Sequence, residues 1–329
     1  MPTVDIGASR TAYSPAIWTF GGEYMNGSGW TRATLLVCAT IAWLLPTLGK
    51  SETLLERGGY LVNGILSCGN CHSPKGPDGN PVPGRELSGG GVFYDSPAFT
   101  AASSNITPDR ETGIGTWSDE DIKRALREGV RPADGKLPGV RLATSMPIGQ
   151  YKLLTERDLD AIVAYLRSIP AVRNELPAPT YKVEMVYAPD PAGDKPFSEE
   201  QLRDPVTNGQ YLGAIGHCMV CHSPVVRGAP DFVNAYGKGG RRFGPPIVTG
   251  YPADWKGSTA PNITSDKKSG LGDWSDAEIK RAIAKGIARD GRVLTFPMGF
   301  PWLVNLKESD LDALVAWLRT VPPKENTVQ

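Results

Sequence analysis

Apolar side chains recur at helical spacing near the end of each half of the chain. Residues 158–170 read DLDAIVAYLRSIP, and residues 310–322 read DLDALVAWLRTVP. In both segments leucine, isoleucine and valine fall three and four positions apart, and a proline ends the run, which predicts a closing α-helix. Ser118 and Ser275 each stand three positions before an acidic residue, a capping box that predicts the start of another helix. No convincing alternation of apolar and polar residues predicts strands, so the pattern favours an all-α fold.

The sequence contains an internal repeat. Three blocks recur in the same order: 58–74 with 209–224, 104–126 with 261–283, and 158–170 with 310–322. We therefore predict two tandem homologous domains, residues 51–173 and 204–329, with long loops rich in glycine and proline. The Pro-rich segment 174–203 between them is typical of a semi-rigid linker.

A short apolar run, ATLLVCATIAWLL, occupies residues 33–45. A membrane-spanning helix needs about 20 residues, whereas a run of this length suits the core of a signal peptide. We expect residues 1–50 to be an export signal or a retained membrane anchor, with translation starting at Met1 or Met25. In either case the rest of the chain is exported.

The 35 basic and 35 acidic side chains cancel, so the formal net charge is zero. A chain without a basic excess has no strong field to attract nucleic acid. We expect no nucleic-acid partner.

Most of the cysteines and histidines lie in two motifs of the form Cys-x-x-Cys-His. The motifs consist of Cys68, Cys71 and His72, and of Cys218, Cys221 and His222; the fifth cysteine, Cys38, lies in the apolar run. A redox dithiol needs no following histidine, and a structural zinc site needs four ligands where each motif offers three. Two thiols at this spacing suit covalent attachment of one haem through its vinyl groups, with the adjacent histidine bound to the iron. The motifs therefore predict two covalent c-type haems.

The second axial ligand of each iron is predicted by elimination. His217 is the only other histidine, and it directly precedes Cys218, so it cannot reach the opposite face of the porphyrin. Among the six methionines, only Met146 and Met298 hold matching positions in the two halves, 74 and 76 residues after the histidine of the motif. We predict that their thioethers bind the two irons. Because proline follows Met146 but precedes Met298, we expect the backbone to differ around the two sulfur atoms.

Two filled axial positions leave no coordination site for oxygen or peroxide. This arrangement predicts an electron-transfer protein with no catalytic residues, carrying single electrons through two haems in series. The alternative is a dihaem redox enzyme of the cytochrome c peroxidase or thiosulfate-oxidising type. The former would require another histidine and the latter a distal cysteine.

Each half resembles a class I cytochrome c domain, with its Cys-x-x-Cys-His motif, its distal methionine and its closing helix. The repeated blocks NITPDRETGIGTWSDEDIKRAL and NITSDKKSGLGDWSDAEIKRAI resemble the cytochrome c subunits of bacterial periplasmic dehydrogenases for alcohols, aldehydes and gluconate, and of molybdenum hydroxylases. This resemblance implies a periplasmic protein, either soluble or tethered through residues 33–45. It also implies a dehydrogenase catalytic subunit as electron donor, and a quinone, an oxidase or another cytochrome as acceptor. The best-known members contain three haem motifs where this sequence has two.

Overall fold

A computed structural model of the chain describes residues 51–245 and 248–326. The predicted export signal or anchor, residues 1–50, lies outside this part, together with the choice between Met1 and Met25 as the start. Among the residues described, no helix is both long and apolar enough to cross a membrane.

The described residues are mainly helical, and the helices of the first half recur in the same order in the second. The first half contains α1 (Leu54–Val62), α2 (Cys68–His72), α3 (Asp119–Glu128), α4 (Ile148–Tyr151) and α5 (Glu156–Ser168). The second contains α6 (Pro205–Ile215), α7 (Cys218–His222), α8 (Asp276–Lys285), α9 (Phe300–Leu303) and α10 (Glu308–Thr320), and a short 3-10 helix, Gln201–Arg203, precedes α6.

The first and last helices of each half cross at a glycine. A Cβ atom built on Gly58 of α1 would lie 1.9 Å from the carbonyl oxygen of Ala161 in α5. A Cβ on Gly209 of α6 would lie equally close, 1.9 Å, to the carbonyl oxygen of Ala313 in α10. Only glycine allows the two backbones to approach this closely.

The apolar faces predicted for the closing helices are buried in the main hydrophobic cluster. They consist of Leu159, Ile162, Val163 and Leu166 in α5, and Leu311, Leu314, Val315 and Leu318 in α10. Burial of these side chains is the main stabilising contribution to the helix pairs.

Both predicted capping boxes are present. The Ser118 hydroxyl accepts a hydrogen bond from the N–H of Asp121, whose carboxylate accepts one from the Ser118 N–H, and α3 begins there. Ser275 and Glu278 make the same pair of bonds at the start of α8. These bonds satisfy backbone donors that the first turn of a helix leaves free.

Short strands, which the sequence did not indicate, are also present beside the predicted helices. They are β1 (Phe93–Asp95), β2 (Phe99–Ala102), β3 (Thr180–Tyr181), β4 (Val225–Val226), β5 (Ala229–Pro230), β6 (Arg242–Phe243), β7 (Val248–Thr249) and β8 (Ser258–Thr259). An antiparallel sheet has the order β3-β2-β1-β7, with Tyr94 opposite both Ala101 and Val248, while β4 pairs with β5 and β6 with β8. Strands of two to four residues are too short for an alternating pattern to show in the sequence.

The segment expected to be a linker, residues 174–203, packs against the first half. Its strand β3 extends the sheet, and Met185 is only 5% exposed, in a small apolar cluster with Phe99 and Ala143. The hydroxyl of Tyr187 donates to the carbonyl oxygen of Leu142 at 2.8 Å. This segment is therefore packed against the first half. The division of the chain into two separate domains remains a prediction.

Two matched hydrogen bonds join the halves, and Glu52–Gln329 form one compact unit. The hydroxyl of Tyr60 donates to Asp310 Oδ2 at 2.5 Å. The hydroxyl of Tyr211 donates to Asp158 Oδ2 at 2.6 Å. Since the tyrosines and the aspartates each occupy equivalent positions in the repeat, each half supplies one donor and one acceptor.

Candidate haem attachment sites

Each Cys-x-x-Cys-His motif forms a single helical turn, α2 or α7. Both turns follow a residue in the left-handed conformation, Ser67 with φ 43° and His217 with φ 48°. Two cysteines three positions apart lie on the same face of such a turn. All four motif cysteines are free thiols and are partly exposed. Each turn therefore presents two thiols to one ligand.

The histidines of both motifs are oriented by backbone carbonyls. His72 Nδ1 lies 2.7 Å from the carbonyl oxygen of Ser104, and His222 Nδ1 lies 2.8 Å from that of Pro261. A carbonyl oxygen only accepts, so Nδ1 carries the proton and Nε2 keeps its lone pair for a metal. Burial lowers the pKa of both imidazoles, which keeps them in the neutral form that binds metals.

The repeated Asn-Ile-Thr sequence holds these carbonyls in place. Asn105 Oδ1 accepts from the backbone N–H of Thr107 at 3.0 Å and from its hydroxyl at 2.7 Å. Asn262 Oδ1 accepts from Thr264 in the same way, at 2.9 and 2.7 Å. These residues follow Ser104 and Pro261 directly, so the turn that they form fixes the acceptor of the histidine. Sequence reasoning used the block to recognise the repeat and the family resemblance but did not assign it this role, although its recurrence was the available signal.

A cation lies beside each of the turns α2 and α7, which we call the first and second attachment turns. The Lys75 ammonium donates to the carbonyl oxygen of Asn70, and to that of Gly91 at 3.0 Å. The Arg241 guanidinium donates to the carbonyl oxygen of Val220 at 2.6 Å. Asn70 and Val220 both directly precede the second cysteine of their motif, so the two cations play equivalent parts. Sequence reasoning missed both, because they occupy different positions in the two halves.

The thiols are protonated in the folded chain without haem. Burial, with a smaller effect from the neighbouring cysteine, raises the pKa of Cys68 and of Cys218 to about 12. A protonated thiol is a poor nucleophile and a poor metal ligand. Within the described residues, no group of three or more histidine, cysteine, aspartate or glutamate side chains is placed to hold a metal ion.

Met146 and Met298 lie two residues before the first residue of the short helices α4 and α9. Both are partly buried and pack against the hydrophobic cluster that also contacts Cys68 and Cys218. The carbonyl of Met146 accepts from the N–H of Ile148 at 2.9 Å, and that of Met298 from the N–H of Phe300 at 3.0 Å. The backbone after the two sulfur-bearing residues is thus alike.

The difference expected around the two methionines lies on the N-terminal side. The Met146 N–H donates to the carbonyl of Ala143 at 2.9 Å. Before Met298, the bond between Phe296 and Pro297 is cis. The assignment of both thioethers as axial ligands remains a prediction.

The residues of each half suit a c-type haem. A pair of thiols on one turn, a neutral imidazole with Nε2 free and a methionine in the adjoining apolar cluster are the donors that such a group requires. The same set occurs twice in the described residues, as expected for a c-type cytochrome.

Comparison with known proteins agrees with this class. The family model for cytochrome c matches residues 206–322, so this part of the chain is a cytochrome c domain. A nicotinate dehydrogenase subunit of Pseudomonas putida is 31% identical over 92% of this chain, which spans 25% of that protein. The gluconate 2-dehydrogenase cytochrome c subunit of Pantoea cypripedii is 30% identical over 84% of the chain and 61% of its own length. A dihaem cytochrome c of Cereibacter sphaeroides is 26% identical over 78% and 83% respectively.

The chain is thus a homologue of the cytochrome c subunits of dehydrogenases and of a dihaem cytochrome c. It spans less than two thirds of the length of the first two relatives.

Proposed function

We propose that this protein is a periplasmic dihaem cytochrome c that carries single electrons from a partner dehydrogenase towards the respiratory chain. The main support is a geometry that occurs twice. A turn bearing two thiols is followed by an imidazole whose Nδ1 is bound to a carbonyl, at His72 and at His222. This arrangement presents Nε2 to an iron beside each pair of thiols.

Each bound haem would supply reversible one-electron redox chemistry. The four motif cysteines would hold the two groups, and the carbonyls of Ser104 and Pro261 orient the imidazoles. Met146 and Met298 would supply the remaining ligands of the two irons, and a thioether raises the reduction potential relative to a second imidazole.

The partners are inferred from the relatives. The Pantoea cypripedii protein is named as the cytochrome c subunit of a dehydrogenase, which agrees with an electron-transfer subunit rather than an enzyme. We infer a dehydrogenase catalytic subunit as donor, and a quinone, an oxidase or another cytochrome as acceptor. We also infer that the chain works in the periplasm, soluble after signal cleavage or tethered through residues 33–45.

A redox titration of the purified protein, followed by visible spectroscopy, tests this function. We expect two one-electron steps and a ferric spectrum whose near-infrared methionine–iron band accounts for both haems. Met146→His and Met298→His should each lower the potential of one haem and leave the other unchanged, because imidazole replaces a thioether at one iron only. A high-spin ferric signal or turnover of peroxide in the unmodified protein would instead indicate a dihaem enzyme.

A further inference from the structure

The segment that carries Met298 is seated on the attachment turn of the other half. Trp302, four residues after Met298, is 8% exposed and packs against Gly69, which lies between the two cysteines of the first motif. A Cβ atom on Gly69 would lie 2.6 Å from Trp302 Nε1 and 2.9 Å from Cε2. The indole therefore rests directly on the backbone of α2.

Two further contacts join the same segments. Asn70 Nδ2 donates to the carbonyl oxygen of Pro297 at 2.8 Å, and Asn70 is 8% exposed. A Cβ on Gly299 would lie 3.1 Å from the hydroxyl oxygen of Ser67. Residues on both sides of Met298 thus contact the first attachment turn. The position of residues 297–302, which we call the Met298 loop, therefore depends on that turn.

In the other direction, the described residues show no hydrogen bond between residues 146–150 and the second attachment turn. The lining of a cleft of about 410 Å³ includes Met146 and Gln150 together with Val220 and Arg241. Gln150 holds the position of Trp302, four residues after the methionine, but its amide donates to Asp190 Oδ2 at 3.3 Å. Residues of the Met146 loop and of the second attachment turn therefore line one cleft without a hydrogen bond between them, whereas the Met298 loop is packed onto the first attachment turn.

From this asymmetry we propose that α2, through Gly69 and Asn70, positions Met298 as the axial ligand of the second haem. The inference rests on the proposed function, in which both methionines bind iron. Its consequence is one-way coupling: a change in the first attachment turn alters ligation at the second haem, while a change in α7 leaves Met146 in place. Gly69 and Asn70 are positioning residues, since they act through their contacts with Trp302 and Pro297 of the Met298 segment.

The test is carried out on the haem-loaded chain in two backgrounds. In Met146→Leu the near-infrared band reports Met298 alone, and in Met298→Leu it reports Met146 alone. Asn70→Ala and Gly69→Ala are introduced into each, and the equilibrium constant for loss of the band is measured as the pH is raised. Intact mass confirms that two haems are still attached.

In the Met146→Leu background, Asn70→Ala should increase the constant for release of Met298 roughly two- to tenfold, the effect of losing one hydrogen bond. Gly69→Ala should increase it roughly five- to 100-fold, because the added methyl group displaces the indole. In the Met298→Leu background neither change should alter the release of Met146. Val220→Ala, at the position of Asn70 in the second motif, is the matched control and should leave both constants unchanged.

Equal effects in the two backgrounds, or no effect in either, would overturn the inference while leaving the proposed function intact. A chain without substitutions that lacks the methionine band of the second haem would overturn the proposed function and this inference together.

Discussion

At the scale of single residues, the sequence predicts candidate ligands but not the contacts that support them. The motif identifies His72 and His222, because a histidine after Cys-x-x-Cys has one well-defined use. Lys75 and Arg241 each donate to the carbonyl before the second cysteine. They reach equivalent sites from different positions in the two halves, so aligning the repeat does not pair them. Only the folded chain shows that each cation lies beside the motif of its own half.

His217 provides a prediction at this scale. It is partly buried at the start of α7, and burial lowers its pKa to about 4 from an ordinary value of 6.5. Between these two pH values the unfolded chain takes up a proton that the folded chain does not. The free energy of unfolding should therefore fall as the pH is lowered from about 6.5 to about 4.

His217→Ser should remove roughly 1–3 kcal/mol of this pH dependence, given about 1.4 kcal/mol for each pKa unit. Serine is the matched replacement, because Ser67 adopts the same left-handed backbone at the equivalent position. Urea unfolding of the haem-loaded chain at pH 7 and pH 4.5 measures the difference. An unchanged dependence would show that His217 is protonated as easily in the folded chain as in the unfolded one.

At the scale of elements, the sequence predicted how the helices begin but not how they meet. Ser118 and Ser275 mark helix starts through contacts within three residues, which a local pattern reveals. Gly58 and Gly209 are intrinsically unfavourable within a helix, since glycine is a poor helix former. Glycine is required at both positions because a carbonyl oxygen from a residue distant in sequence would lie 1.9 Å from a Cβ atom built there. No local pattern contains that information.

Gly58→Ala tests the helix crossing. Alanine would favour the helix itself by about 1 kcal/mol. The new methyl group would overlap the backbone of Ala161, and overpacking of this kind costs about 1–3 kcal/mol. Because a backbone atom yields less readily than a side chain, we expect a net loss of about 2 kcal/mol in the free energy of unfolding. Gly135→Ala is the control, since a Cβ there meets nothing within 4 Å. Equal stabilities for the two variants would contradict this account of the crossing.

At the scale of the whole molecule, the repeat was visible in the sequence and the joining of its halves was not. Asp158 accepts from Tyr211 and is also bound by Arg57, whose Nε lies 2.7 Å from Asp158 Oδ1. Strand β1 of the first half pairs with β7 of the second. Each half of the sequence carries its own copy of the apolar helix pattern, which is the pattern of a self-contained domain. Contacts between the halves use single polar residues, short strands and individual apolar side chains such as Trp302, and these leave no periodic signal.

The central claim is that each motif binds one haem covalently. The most direct test is the intact mass of the protein, purified from a host that exports it and attaches haem. We predict a mass corresponding to the processed or full-length chain plus two haems. Replacing both motif cysteines by serine, at Cys68 and Cys71 or at Cys218 and Cys221, should remove one haem in each case. A chain with fewer than two haems, or a double variant that still carries both through thioether bonds, would contradict the account.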